Sequence, residues 1–167
     1  MKSKLINFLL FQFGWFTAIL GAAYGRTSEA IIVSVVIILI HLKVIQNYMQ
    51  DIKLFIYAAI IGFLFDGLIQ YNSLILYNNP GWPYPLTPLW IIILWIMFAM
   101  TLNHSLSWLK GRMALAALFG SIGGPLAYIA GEKLGAITIT ETQALFVLSL
   151  GWAVFTPLLV YLSQKND

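Results

Sequence analysis

The chain has 167 residues, 60% of them hydrophobic and 9% charged, with a formal net charge of +3 and no cysteine. Soluble domains carry about 25% charged residues, so this composition points to a single domain, 1–167, that hides its apolar surface in lipid. The small, dispersed charge argues against nucleic acid, and the lack of cysteine excludes disulfides, thiol nucleophiles, iron–sulfur clusters and zinc–thiolate sites.

Six apolar runs approach the roughly 20 residues that a spanning helix needs: Leu5–Tyr24, Ala30–Gln46, Ile52–Ile69, Pro88–Leu109, Met113–Gly131 and Gln143–Leu162. The expected fold is all-α, an integral membrane bundle of six transmembrane helices. The first run follows Lys2 and Lys4 as a signal peptide would, but its length and the five later runs mark it as a retained helix. It carries a strip of small residues, Gly14, Ala18 and Ala22, and Arg26 follows its end. The second run opens on Ser28 and Glu29, an acid suited to the positive end of a helix dipole. His41 lies about 17 Å along it at the helical rise.

The third run contains "GFLFDGLIQ". Asp66 lies about 14 residues from Ile52, roughly 21 Å along the helix, with Gln70 one turn further. An ionisable group inside a span is a functional candidate whose partner should be named. Two readings stay open. Asp66 forms a structural ion pair with Arg26 or Lys133, with Glu132 in the same outer group, or Asp66 and Gln70 bind a ligand or couple protons. The loop "YNNPGWPYPLTP", Tyr77 to Pro88, has four prolines and no charge, and is expected to plug the interface or cap a cavity.

The fourth run ends in "MFAMTLNHSLSWLKGR". Asn103 and His104 lie about 15 residues, roughly 23 Å, from Pro88, and His41 and His104 fall within about a turn of each other in depth. The pair either hydrogen-bonds neighbouring helices together or binds a ligand, with His104, helped by His41, as a candidate catalytic acid or base. Adjacent helical residues diverge by about 100°. His104 is therefore expected to line an inner cavity and Asn103 to fix the helix to a neighbour. Two histidines without a carboxylate or thiolate in reach make a thin ligand set, so no metal is expected. Asp66 and His104 belong to opposite leaflets and form no dyad.

The fifth run, "FGSIGGPLAYIAGEKLGA", has a GxxxG at Gly120 and Gly124, expected to pack on the small strip of the first helix. Pro125 either kinks this helix or frames a cavity. Tyr128 joins the candidate ligand-binding set of Asn103, His104, His41, Asp66 and Gln70, and Glu132 and Lys133 close the helix. Thr140 and Gln143 have the spacing of a capping box before the sixth run. With the N-terminus in the cytoplasm, Lys2, Lys4, Lys43, Lys53, Lys110, Arg112 and Lys165 lie inside and only Arg26 and Lys133 outside. The positive-inside rule thus places both termini in the cytoplasm, as an even number of spans requires.

The stretches "NFLLFQFGWFTAILGAA", "LWIIILWIMFAMTLNHSLSWL" and "GGPLAYIAGEKLGA" resemble the bacterial membrane proteins grouped as domain of unknown function family 2878, over nearly the whole chain. The resemblance implies a multi-pass protein of the bacterial inner membrane with a lipid-related role, and supplies no activity. A looser likeness, in size and span number alone, is to the substrate-binding subunits of energy-coupling-factor vitamin transporters. No GxSxG, HExxH or aspartate-rich transferase signature is present. The expected function is therefore binding of a membrane lipid or other hydrophobic small molecule, as a non-catalytic subunit with a partner membrane protein or a second copy. An intramembrane lipid-modifying enzyme using His104 and a small carrier are the alternatives. The cofactor is unknown from sequence.

Overall fold

The computed structural model describes residues 2–44 and 48–165, so Ile45 and Gln46, the end of the second expected span, lie outside the described residues. Six helices follow in order: α1 (Lys2–Ala23), α2 (Thr27–Val44), α3 (Tyr48–Tyr71), α4 (Leu89–Leu102), α5 (Met113–Lys133) and α6 (Gln143–Lys165). Five are long and apolar enough to cross a membrane. They turn large apolar side chains outward, among them Leu5, Ile32, Leu64, Leu118 and Phe146, each more than half exposed. Such faces are stable against hydrocarbon and unstable against water.

The exception, α4, is the buried axis of the bundle. Ten of its 14 residues are buried, and it packs on α1, α2, α3 and α6. Its composition is apolar all round, as a helix without a lipid or water face requires. It begins directly after Pro88 and stops at Leu102 rather than continuing to Leu109. Residues 103–106 form turns, followed by a single 3₁₀ turn at Ser107–Leu109. Asn103 and His104 therefore leave the helix that the apolar run implied.

Two short strands were not expected in an all-α chain. β1 (Ile75–Tyr77) pairs antiparallel with β2 (Ile137–Ile139), in the register Ile75↔Ile139, Leu76↔Thr138, Tyr77↔Ile137. The loops after α3 and α5 bury Ile75, Tyr77 and Ile137, and buried backbone needs partners. Each loop supplies them to the other. Thr140, expected to cap α6, instead donates its hydroxyl to the Ser73 and Leu74 carbonyls at 2.5 and 2.9 Å, while Gln143 turns to Glu141. Asn79 joins the same end, donating to Ala22 O at 2.7 Å and accepting from Thr27 Oγ1 at 3.0 Å.

The expected contact between α1 and α5 is replaced. α5 packs on α6, and α1 packs on α2 and α4. A Cβ on Gly14 would strike Met97 of α4, and Cβ atoms on Gly120 and Gly124 would strike Thr156 and Trp152 of α6. The small residues do allow close approach, but to other partners. α5 runs unbroken through Pro125. Proline cannot donate to the carbonyl four residues back, here Ser121 O. Ser149 of α6 donates its hydroxyl to that oxygen at 2.9 Å, so the bond lost within α5 becomes a bond between helices.

Candidate functional site

At the end of the bundle opposite the strands, three helix termini meet on one carboxylate. Asp51, in the first turn of α3, is 2% exposed. Its Oδ2 lies 2.7 Å from His41 Nε2, at the end of α2, and 2.9 Å from His104 Nε2, just beyond α4. Its Oδ1 accepts from Asn103 Nδ2 at 2.7 Å. The two imidazole rings meet edge to face, with centroids 4.8 Å apart. Asn103 and His104 thus converge on one partner instead of diverging, because the turn releases them from helical geometry. The histidines also have the carboxylate that sequence reasoning denied them. Asp51 precedes Ile52, the first residue of the expected span, so the apolar run alone does not include it. Placing it by depth beside His41 and His104 would have found it.

The turn that carries His104 is itself anchored. Met100 O, left free where α4 ends, accepts from Asn7 Nδ2 of α1 at 3.1 Å. Asn7 Oδ1 accepts from Ser105 Oγ at 2.6 Å and from Ser105 N at 3.2 Å. Lys4 Nζ donates to Ser107 Oγ at 2.9 Å. One buried amide therefore ends the helix, a role the sequence pattern does not reveal.

The outer cluster differs from the expected ion pair. Asp66 is fully buried, and its donors are neutral: Tyr77 Oη at 2.6 Å and Tyr128 Oη at 2.5 Å on Oδ1, and Trp95 Nε1 at 2.7 Å on Oδ2. Arg26 and Lys133 are exposed, and among the described residues neither pairs with Asp66. Glu132 accepts from the Ile139 backbone at 2.7 Å. Neutral donors satisfy a buried carboxylate without bringing a second charge out of water. Gln70 is buried one turn from Asp66, with its Oε1 unpartnered.

Between α1 and α5 lies a cavity of about 380 Å³. Phe8, Phe11 and Trp15 of α1 form one wall, Leu94, Trp95 and Phe98 of α4 another, and Gly120, Gly123, Gly124 and Ala127 of α5 a third. Trp152 of α6 closes the side, stacked on Trp95 at 4.4 Å. Gln12, Thr101 and Ser105 supply polar atoms. Trp90 and Thr156 also line the space, and their Nε1 and Oγ1 atoms are buried and without a partner. Of the candidate ligand-binding residues, Tyr128 lines this cavity, whereas Asn103, His104, His41, Asp66 and Gln70 do not. His104, expected to face a cavity, faces Asp51 instead. Asp66 sits behind the wall and holds two of its side chains, Trp95 and Tyr128.

A helical bundle with five long apolar helices, an apolar outer surface and polar groups gathered inside defines a multi-pass membrane protein. The family model described as protein of unknown function DUF2878 matches residues 4–158, and the chain belongs to that family. No curated protein and no solved structure matches it.

Proposed function

We propose that the protein binds a hydrophobic small molecule or a lipid in the cavity between α1 and α5, as a non-catalytic membrane component. The carrying observation is the cavity itself. Its volume of about 380 Å³ lies within the roughly 300–1,000 Å³ of small-molecule sites, and its walls are aromatic with a few polar atoms. The unpartnered Trp90 Nε1 and Thr156 Oγ1 suit a ligand that brings a hydrogen-bond acceptor. In this reading the chain crosses the bacterial inner membrane six times with both termini in the cytoplasm, and works with a partner membrane protein or a second copy. The charge asymmetry and the family resemblance support that placement.

Gly123 provides the test. It borders the cavity, and a Cβ placed there meets nothing within 4 Å. Gly123→Phe should fill the space without disturbing the fold. Purified wild-type protein should retain an extractable hydrophobic molecule, or take up a fluorescent fatty acid, and Gly123→Phe should do neither. Equal retention by both proteins refutes the cavity as the binding site.

A second reading has its own observation. His104, with a side chain 27% exposed, rests on the buried carboxylate of Asp51. A carboxylate fixing an imidazole is the arrangement by which histidine serves as acid or base. An intramembrane lipid-modifying enzyme would lose turnover in His104→Ala while still taking up the fluorescent fatty acid.

A further inference from the structure

We propose that His41, Asp51 and His104 form a binding site for one divalent first-row transition-metal ion. The inference is independent of the cavity reading. One ligand atom from each residue can be chosen so that all lie within 4.8 Å of one another. Both Nε2 atoms converge on a single carboxylate oxygen, at 2.7 and 2.9 Å. An ion about 2.0–2.1 Å from imidazole nitrogen and about 2.0–2.2 Å from carboxylate oxygen spans N···O separations of roughly 2.7–3.4 Å at ordinary coordination angles. Both observed N···O separations fall in that range.

The surroundings are those of a ligand set held in place. Asp51 and His41 are 2% and 4% exposed, so the carboxylate and one imidazole are fixed by packing. Asn103 Nδ2 holds the other carboxylate oxygen, as outer groups commonly orient a ligating carboxylate. Asn7 and Ser105 fix the turn that presents His104. The His104 side chain, 27% exposed, gives the ion a path from water and leaves open coordination positions beside it. Two imidazoles and one carboxylate favour zinc, iron, cobalt or nickel over magnesium and calcium, which take oxygen ligands. To bind the ion through Nε2, each imidazole must present that nitrogen without its proton.

Cobalt(II) reports this directly. Tag-free protein, stripped with chelator in detergent, should bind one equivalent of Co²⁺ with visible ligand-field absorption and a raised melting temperature. His104→Ala should weaken binding at least about tenfold, the lower bound seen even for outer-shell losses. The chain has only two histidines, which gives a second readout on the wild-type protein alone. Zn²⁺ should protect His104, the more exposed of the two, from diethyl pyrocarbonate, and magnesium should not. Absence of both the absorption band and the protection overturns the site, as does unchanged Co²⁺ affinity in a folded His104→Ala. Should that variant fail to fold, histidine protection decides.

Discussion

Ser149 shows how much of this fold rests on single atoms. Its hydroxyl serves the Ser121 carbonyl that Pro125 cannot serve. Ser149→Ala should cost about 1–3 kcal/mol in thermal or denaturant unfolding, the penalty of an orphaned polar group. In a Pro125→Ala background the helix can make its own bond, and Ser149→Ala should then be nearly silent. Equal costs in the two backgrounds would show that the hydroxyl has another role. Asp66 makes a similar case. It fixes Trp95 and Tyr128, both cavity walls, and an asparagine would replace one acceptor oxygen with a donor facing a donor. Asp66→Asn should lower both stability and fatty-acid uptake, the second measured by fluorescence. At this scale the sequence was partly legible. Its oddities, Asp66, His41, Asn103, His104 and Pro125, all lie at polar or special contacts. Their partners were hidden because an exposed-looking Asp51 and an ordinary Asn7, Tyr77 and Ser149 carry no local signal.

Helices read well where hydrophobicity alone decides and poorly where tertiary contacts do. Five of the expected spans overlap long helices closely, because an apolar run of that length satisfies its backbone only by coiling. The fourth run has no proline or glycine between Leu89 and Leu109, so no helix breaker marks its end. Asn7 of α1 and Asp51 of α3 stop it from outside. Glycine spacing likewise announced close packing without naming the partner. Gly124 meets Trp152, whereas Gly123, one residue earlier, faces open space. Gly124→Leu should therefore destabilise the bundle by more than a typical substitution, which costs about 1 kcal/mol. Gly123→Leu should fall within about 0.5 kcal/mol of wild type. Trp152→Ala should recover part of the Gly124→Leu loss by opening room, read from melting temperatures of the double variant. Similar melting temperatures for the two glycine variants would mean that α5 and α6 pack differently.

Across the whole molecule, the helix ends sort into two sets. The strand end gathers the close of α1, the start of α2 and the loops after α3 and α5 through Asn79, Thr27, Thr140 and the β1–β2 pair. The opposite end gathers the start of α1, the end of α2, the start of α3 and the end of α4 through Lys4, Asn7, His41, Asp51 and Asn103. Successive helices therefore alternate in direction. Arg26 and Lys133 accompany the strand end, and the other seven basic residues fall outside those loops in the sequence. Basic residues are retained in the cytoplasm, so the strand end should face outward. The cysteine-free chain makes this measurable. Tyr84→Cys, at an exposed site in the loop before α4, should react with a membrane-impermeant maleimide in intact cells. Lys165→Cys, exposed at the end of α6, should react only after the membrane is opened. Reaction of Lys165→Cys alone in intact cells would invert the protein. Reaction of both would leave an odd number of crossings, and α4, about 21 Å long at the helical rise, would then be the helix that fails to span.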